Sequence, residues 1–354
     1  MKSTLITIIQ TLILPFAISF TLTPIVIRLS KRFNIMDIPN ERKIHELPTP
    51  IGGGIGIYIA FLVFFILFPP ERAMSGVLAG SSIIFLVGLI NDIKGVSVFK
   101  RLMTHILASM ILIASGVSVI IFKNEGIGFL LNSLITILWV VGITNAMNFF
   151  DGMDGLAPGL SIIYSFFLGI VFLQNQNIFM FLASLALIGS TLGFLPYNFR
   201  IKGNAEIFLG DSGSNLLGFV LASFAVIGEW SERKLIDSIM APILIFAVLI
   251  YDMVYINVSR LLEGRVKGFK ALLEYTGKDH LHHRLYVLLS DKPKTVFFIY
   301  LFSISLGIGA LVLKDIPEPY SLLLLLQAFL IIMLVAILEI AENRILKGKH
   351  RMEK

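Results

Sequence analysis

The chain has no cysteine and only a small share of charged residues. Without cysteine, disulfide bonds and thiolate metal sites are excluded, and no redox compartment can be inferred. Charged residues make up 15% of the 354 positions and apolar residues 56%, whereas about a quarter of a soluble domain is charged. A core cannot bury that much apolar surface, so an ordinary soluble globular protein is excluded.

Long uncharged runs are abundant, and the mean hydropathy is +0.87. About 20 apolar residues cross a bilayer as a helix. The runs therefore predict an all-α, polytopic integral membrane protein with about eleven transmembrane helices in a single domain over residues 1–354. The first run precedes its basic cluster and lacks a small-residue cleavage site, so we expect a retained span rather than a signal peptide. The predicted spans are 3–27, 51–68, 74–90, 102–122, 128–145, 156–173, 178–196, 213–228, 238–257, 295–313 and 320–340.

Lysine and arginine are unevenly divided between the two sides of these spans. The side that includes loops 28–50 and 258–294 holds 23 of the 29, and cytoplasmic loops are the ones enriched in these residues. This distribution predicts an N-terminus outside and a C-terminus in the cytoplasm. The formal net charge of +6 suits anionic lipid headgroups or an anionic substrate. The basic residues are scattered, so no nucleic acid is expected as a partner.

Four polar clusters interrupt the apolar sequence, and all fall on the predicted cytoplasmic side. Ionisable groups at membrane depth are costly and usually functional, so we expect an active site on the cytoplasmic face. The clusters are NDIKG (91–95), NAMNFFDGMDGLAPG (145–159), FLGDSGSN (208–215) and DHLHHRL (279–285).

In the second cluster, Asn145, Asn148, Asp151 and Asp154 are spaced three residues apart. On a helix this spacing forms a short polar stripe. Its carboxylates and amides suit Mg²⁺, or hydrogen bonds from a sugar or a base. Capping of a helix end is the alternative, but capping needs one such residue and not four.

Two further aspartates stand at the ends of predicted spans. Asp211, between Gly210 and Gly213, is either a metal ligand beside N–H groups that face a phosphate or an N-cap of the next helix. Asp92 ends the third span, where a carboxylate at a helix C-terminus is unfavourable. Plain capping is therefore not expected of Asp92. The basic residues that follow, Arg101 among them, either neutralise this carboxylate or face lipid headgroups.

The histidine cluster offers His280, His282 and His283 beside Arg284. Zinc is disfavoured, because helical zinc pairs usually stand at i and i+4 and no softer ligand exists. Ring N–H donors with an arginine fork fit a phosphate better. An interfacial basic loop remains the alternative.

The segment 41–56 and Asp252 each have a structural explanation as well as a functional one. In ERKIHELPTPIGGGIG (41–56), Lys43 and His45 are candidates to neutralise a phosphate, and the glycines are expected to serve helix packing. Asp252 lies about two helical turns before Arg260, and a salt bridge between them is expected.

Taken in order, the clusters resemble the polyprenyl-phosphate N-acetylhexosamine-1-phosphate transferases. The HLHHRL form is similar to the WecA-like branch, which transfers simple amino-sugar phosphates; the phospho-MurNAc-pentapeptide translocase branch has three adjacent histidines there. The matching pieces, spread over residues 42–285, are RKIHELPTPIGGG, the NDIKG position, NAMNFFDGMDGLAPG, PYNFRIKGNAEIFLGDSGSNLLGF and HLHHRL.

The resemblance implies transfer of N-acetylhexosamine 1-phosphate, most simply GlcNAc 1-phosphate, from a UDP-sugar to undecaprenyl or another polyprenyl phosphate. UMP would leave, and the product would enter cell-envelope polysaccharide synthesis. The implied location is the inner (cytoplasmic) membrane, the implied cofactor Mg²⁺ or Mn²⁺, and the implied partners are the UDP-N-acetylsugar, polyprenyl phosphate, membrane lipids and a second copy as a homodimer.

By motif position the resemblance assigns the metal to Asp211 with help from Asp92, uracil stacking to Phe208 and a pocket amide to Asn198. The candidate catalytic residues are Asp92, Asp151, Asp154, His282 and His283. The candidate substrate-binding residues are Lys43, His45, Asn145, Asn148, Asn198, Phe208, His280 and Arg284.

The chain departs from the family at residue 91. The family carries an Asp pair where this chain has Asn91–Asp92, and asparagine cannot accept the proton assigned to the first Asp. A phosphate monoester is mostly dianionic at pH 7, so a base is not essential. Three explanations are open: the enzyme naturally tolerates asparagine at this position, the chain is an engineered inactive variant, or another residue such as Asp151 is the base. We favour the first.

Other functions stay open on the sequence alone. The protein could use another UDP-sugar, or transfer phospho-MurNAc-pentapeptide, within the same class of sugar-1-phosphate transfer. A cation-coupled transporter would need carboxylates near the midplane and two repeated halves, and the sequence offers neither. A lipid- or nucleotide-binding homologue without catalysis is kept open by Asn91.

Overall fold

A computed structural model of the chain describes residues 2–39, 47–228, 235–266, 279–313 and 317–352, together with 268, 271, 275 and 277. Within them the chain is predominantly helical, with one short antiparallel strand pair, β1 (Met36–Asp37) and β2 (Thr49–Pro50). The helices are α1 (Lys2–Arg32), α2 (Gly54–Leu67), α3 (Arg72–Lys94), α4 (Val98–Ala114), α5 (Ile127–Phe149), α6 (Leu156–Gln174), α7 (Ile178–Asn198), α8 (Gly210–Ile227), α9 (Leu235–Ile245), α10 (Ala247–Leu262), α11 (Leu281–Leu289), α12 (Lys292–Leu313) and α13 (Glu318–Met352), with a 3₁₀ turn at Phe150–Gly152.

The prediction of an all-α, multi-pass membrane protein is confirmed. Among the described residues, eight helices are long and apolar enough to cross a membrane, or nine if the bent pair α9–α10 is one span. The predicted number of eleven is not confirmed. Every predicted run contains a helix, but α2 has 14 residues and α4 has 17, fewer than the ~20 that cross a bilayer.

The predicted span 102–122 is wrong in its second half. Helix α4 ends at Ala114, next to Gly116 with a φ of +94°. Beyond it the chain is not helical, and the side-chain oxygens of Asn132 and Thr136 on α5 accept hydrogen bonds from its backbone N–H groups at 2.9–3.1 Å. These side chains satisfy the backbone, so the segment needs no helix of its own.

The predicted span 238–257 is helical but broken. Helices α9 and α10 meet at Phe246, and their axes differ by 83°. This geometry fits either a bent span or a re-entrant segment. In both, the backbone groups freed at the break must find hydrogen-bond partners inside the protein.

The chain divides into two compact units, residues 1–235 and 236–354, and the one-domain prediction stays a prediction. In the first unit α8 lies at the centre, packed against α2, α3, α5 and α6, with side chains 212–225 buried. Glycines permit this packing: a Cβ at Gly54 would lie 2.4 Å from the backbone nitrogen of Gly213, and one at Gly88 would lie 2.6 Å from the Cα of Ser212. The packing role expected for Gly54 is thus confirmed.

This close packing gives a first testable prediction. Gly54→Ala should lower the melting temperature in detergent, since overpacking against fixed backbone costs about 1–3 kcal/mol. Gly142→Ala is the matched control, because nothing lies within 4 Å of a Cβ at that helical position; it should leave the melting temperature unchanged or raise it slightly. Equal melting temperatures for the two variants would contradict the close contact between α2 and α8.

Candidate active site

Asp211 lies in the first turn of α8, and side chains from three other helices hold its carboxylate. Asn91 at the end of α3 donates a hydrogen bond to Oδ2 at 2.8 Å, and Arg101 in the first turn of α4 makes an ion pair with the same oxygen. Asn148 near the end of α5 donates to Oδ1 at 3.0 Å. The three contacts converge on one carboxylate, which is therefore fixed in direction.

Asp92 caps the N-terminus of α8 from the end of α3. Its carboxylate accepts hydrogen bonds from the backbone N–H groups of Asp211 (2.8 Å) and Ser212 (3.1 Å) and from the Ser212 hydroxyl (2.6 Å). A negative group is favoured at a helix N-terminus, which explains a carboxylate that is unfavourable at the end of its own helix. Gly210, with a φ of +77°, permits the contact, because a Cβ there would lie 2.6 Å from Asp92 Oδ2.

The polar stripe predicted over residues 145–154 is only partly helical. Asn145 and Asn148 lie on α5, but Asp151 is in the 3₁₀ turn with a ψ of +20°. Asp154 follows in the turn before α6. The predicted stripe is wrong for the two aspartates, because the helix ends before the glycines at 152 and 155 and Gly155 adopts a φ of +79°.

The two aspartates nevertheless reach the same place as Asp211. Asp151 accepts a hydrogen bond from the Gly210 N–H and lies within electrostatic range of Asp92, Asp154 and Asp211. Asp154 Oδ2 accepts a hydrogen bond from the Ala205 N–H at 3.3 Å. The structure therefore places Asp92, Asp151 and Asp211 at the N-terminus of α8, with Asp154 in the turn beside Asp151.

Two residues beside this cluster are not among the candidates that the sequence provides. The sequence indicates Arg101 only as a neighbour of Asp92, and no motif includes His105, one turn later on α4. His105 is buried, and its Nδ1 lies 3.3 Å from Asn145 Nδ2, which also donates to the Val141 carbonyl at 2.7 Å. The signal that could have found them is their spacing of four residues on an amphipathic helix directly after NDIKG.

Asn198 and Phe208 connect loops around the cluster. The buried Asn198 accepts a hydrogen bond from the Gly155 N–H at 2.8 Å and donates one to the Ile207 carbonyl at 3.0 Å. Phe208 is half-buried, and its backbone pairs with the segment that opens α2, donating to the Pro50 carbonyl at 2.8 Å. The basic candidates of the preceding loop, Lys43 and His45, lie outside the described residues.

The chemistry of the cluster fits a divalent cation. Its ligands are carboxylate and amide oxygens, which Mg²⁺ and Mn²⁺ prefer, and a cationic group, Arg101, already lies on Asp211. As placed, no three acidic or histidine side chains in the described part of the chain converge on one point. Asp211 and Asp92 therefore remain proposed metal residues.

In the second unit, the buried Asp252 of α10 organises the histidine cluster. His280 Nδ1 lies 2.8 Å from its Oδ2, the Leu281 N–H donates to its Oδ1 at 2.6 Å, and Arg284 lies 3.3 Å from the same oxygen. The expected salt bridge between Asp252 and Arg260 is wrong.

Arg260 instead pairs with Asp279. Its Nε and Nη2 donate to the two carboxylate oxygens at 2.9 and 2.7 Å. Burial raises the pKa of Asp279, but the hydrogen bonds and charge of Arg260, together with the charge of His280 and a backbone hydrogen bond, outweigh burial and leave the pKa below its usual value. A bidentate pair across 19 residues is thus preferred to a monodentate one along the helix.

The other two histidines follow on α11. His282 is buried, His283 is half-buried, and their ring centroids lie 4.2 Å apart. Burial lowers the pKa of His282 well below its ordinary value, and the charges of His283, His280 and Arg284 lower it further. His282 is therefore neutral in the folded protein at pH 7.

This burial predicts a pH dependence of stability. A histidine whose folded pKa is depressed stabilises the fold above its unfolded pKa, near 6.5, and that contribution is lost as pH falls below this value. The melting temperature should fall between pH 7 and pH 5. This residue can lower the free energy of unfolding by at most about 1.4 kcal/mol per pH unit. His282→Asn should flatten the curve; an equally steep fall in that variant would contradict the assignment.

Comparison with known proteins identifies the family. The model of glycosyl transferase family 4 matches residues 74–229, which include Asp92, Asp151, Asp154 and Asp211. A probable undecaprenyl-phosphate N-acetylglucosaminyl 1-phosphate transferase of Bacillus subtilis is 31% identical over 323 residues, which cover 89% of this chain and 87% of that protein.

Two more relatives extend the comparison. A decaprenyl-phosphate N-acetylglucosaminephosphotransferase of Mycobacterium tuberculosis is 31% identical over 317 residues, covering 80% of this chain and 76% of that protein. An undecaprenyl-phosphate alpha-N-acetylglucosaminyl 1-phosphate transferase of Escherichia coli O157:H7 is 26% identical over 324 residues, covering 86% and 84%. The family predicted from the motifs is confirmed: the chain belongs to glycosyl transferase family 4, among the polyprenyl-phosphate N-acetylhexosamine-1-phosphate transferases.

Proposed function

We propose that the protein transfers GlcNAc 1-phosphate from UDP-GlcNAc to a polyprenyl phosphate, undecaprenyl phosphate in the first instance, and releases UMP. The product, polyprenyl-pyrophosphoryl GlcNAc, would be the lipid-linked starting unit of an envelope polysaccharide. The observation that carries the proposal is the carboxylate cluster at the N-terminus of α8, in a chain whose relatives are named for this transfer.

The proposed reaction is a displacement at phosphorus. An oxygen of the polyprenyl phosphate attacks the β-phosphorus of the UDP-sugar, and the bond from that phosphorus to the bridging oxygen breaks. UMP leaves with the electron pair. One phosphoanhydride is formed as another is broken, so the reaction should be readily reversed by UMP.

The protein residues would bring two anionic reactants together. Asp92 holds the start of α8, and thereby directs Asp211. Mg²⁺ or Mn²⁺ would be held by Asp211 with Asp92 in support, and would neutralise the diphosphate and make its phosphorus more electrophilic. The α8 N-terminus and Arg101 add positive potential on the same side.

Asn91 acts as a hydrogen-bonding residue in this chain and not as a base. The Asn91 amide donates to Asp211 at 2.8 Å and its oxygen accepts a hydrogen bond from the Val96 N–H at 2.6 Å. An aspartate could make the second contact but would place a second negative charge against Asp211. This fit supports natural tolerance of asparagine, with the acceptor phosphate entering as the dianion.

The remaining candidates receive proposed roles, which rest on the resemblance near α8 and on side-chain contacts in the histidine cluster. Asn148, Asp151 and Asp154 are proposed to line the nucleotide site, with Phe208 stacking on uracil. In the histidine cluster, His280 and Arg284 are bound to Asp252, so we assign them to positioning and His283 to contact with phosphate or sugar. The predicted homodimer stays a prediction.

The function is tested with purified protein in detergent, undecaprenyl phosphate, Mg²⁺ and radiolabelled UDP-GlcNAc. Label should move into the organic phase and return on addition of UMP, and the chain should be active without conversion of Asn91 to Asp. Activity only in Asn91→Asp would mean that this chain is an inactive form. Transfer only from UDP-MurNAc-pentapeptide or another UDP-sugar would change the substrate, and cation-coupled uptake by vesicles without transfer would support a transporter.

The predicted topology is also a proposal: eleven spans, N-terminus outside, C-terminus and active site cytoplasmic. Because the chain has no cysteine, single cysteines report accessibility without background. Lys123→Cys and Lys202→Cys both place the thiol at an exposed position. In intact cells, a membrane-impermeant maleimide should label the first and not the second; the reverse pattern would invert the orientation.

A further inference from the structure

Arg101 has two features besides the positive charge that the proposed reaction uses. Its guanidinium makes an ion pair with Asp211 Oδ2, with the two side chains 27% and 21% exposed. Its Nε–H is buried and has no hydrogen-bond acceptor among the described residues. A buried charged donor without an acceptor is costly, so Arg101 has capacity for an additional anionic partner.

The charges around Arg101 are strongly unbalanced. Asp92 and Asp151 lie within electrostatic range of the Asp211 carboxylate, and Asp154 lies within range of Asp151. On the described side chains of α3, α4, α5 and α8, the basic residue in contact with Asp211 is Arg101. The titratable groups that face it from these helices are Asp92 and His105. The guanidinium therefore compensates part of a local negative charge.

A divalent cation and this guanidinium would compete. Two positive groups on one carboxylate, only a few ångströms apart and partly shielded from water, repel each other strongly. A cation that binds Asp211 must therefore displace Arg101 or accept a large loss of affinity.

We propose that Arg101 is a resident counter-ion of Asp211 that a divalent cation displaces, and that the released guanidinium then binds the diphosphate of the nucleotide-sugar. This inference rests on the proposed function and adds a coupling to it: cation binding prepares an arginine for the anionic donor. Arginine suits the second task, since its planar fork matches phosphate oxygens.

The test measures cation affinity without turnover. Mn²⁺ binding to the purified chain is followed by electron paramagnetic resonance in the absence of nucleotide. Arg101→Gln should bind Mn²⁺ about tenfold more tightly than the wild type, because the competing charge is gone. Arg101→Lys retains a charge and should stay close to wild type, which also guards against misfolding of the glutamine variant.

Lys100→Gln is the matched control. It removes the same charge from an exposed neighbouring position and should leave Mn²⁺ affinity unchanged. In the presence of Mn²⁺, Arg101→Gln should bind UDP, which carries the diphosphate, about tenfold more weakly than the wild type.

Four results would overturn the inference: equal Mn²⁺ affinity in Arg101→Gln and wild type, an equal gain in Lys100→Gln, no Mn²⁺ binding in any of them, or equal UDP affinity in Arg101→Gln and wild type. Label transfer by the wild type is measured separately. If the proposed transferase function is wrong, the wild type transfers no label. If only the counter-ion proposal is wrong, the label is transferred but the affinities differ from those expected.

Discussion

Asp211→Asn is expected to abolish sugar-phosphate transfer and leave the fold intact. The carboxylate is the point on which Asn91, Arg101 and Asn148 converge, and a neutral amide cannot hold a divalent cation with comparable strength. We expect a fall in rate of about 10³-fold or more, the size seen when an electrostatic catalytic group is removed. The measurement is label transfer into the organic phase at saturating Mg²⁺.

The same variant should stay folded, with a melting temperature close to that of the wild type. The ion pair lost with Arg101 is offset by relief of the repulsion between Asp211 and the neighbouring Asp92 and Asp151. Asp291→Asn is the control, because this partly exposed carboxylate caps the start of α12 through the Lys294 N–H and belongs to no candidate site. Retention of a substantial part of the rate by Asp211→Asn would remove this residue from the proposed mechanism.

Asp92→Asn is expected to damage both fold and activity. The carboxylate accepts three hydrogen bonds from α8, whereas the amide offers one oxygen and places an N–H group against the donors. Each buried donor left without an acceptor costs about 1–3 kcal/mol, so the melting temperature should fall by several degrees. The rate should fall by about 10²-fold, because Asp211 is no longer held in direction.

The contrast between the two variants separates binding from positioning. If Asp92 is a metal ligand first and a cap second, Asp92→Asn should resemble Asp211→Asn, with a lost rate and an unchanged melting temperature. If it is mainly the cap of α8, stability and rate should fall together. A rate that falls with no thermal change would therefore contradict the capping role.

Much of the site could be predicted from sequence because span ends on one side of a membrane must share one surface. Asp92, Asn148 and Asp211 each stand near such an end, and the motifs gave their order. Arg101 and His105 were missed because they lie at the start of a helix, where a basic residue first suggests lipid headgroups. Their contacts with Asp211 and Asn145 join residues 110 and 40 positions apart, and spacing cannot reveal such pairs.

Local rules also failed where longer-range partners were stronger. The spacing of Asp252 and Arg260 suggested a pair on one helix, but Asp279 offers Arg260 two parallel hydrogen bonds. The spacing of four polar residues suggested a stripe on one helix face, but α5 ends at Phe149. The 3₁₀ turn that follows places Asp151 within hydrogen-bond distance of the Gly210 N–H. Hydropathy suggested a full helical span over 102–122. A hydropathy average contains no information on side-chain hydrogen bonds such as those that Asn132 accepts from the backbone N–H groups of residues 121 and 122.

The glycine contacts of α8 have a consequence for motion. A helix that touches neighbouring backbones at Gly54 and Gly88 has no side-chain layer through which to slide or rotate. Rearrangement of Asp211 would therefore require several helices to move together, which is slow.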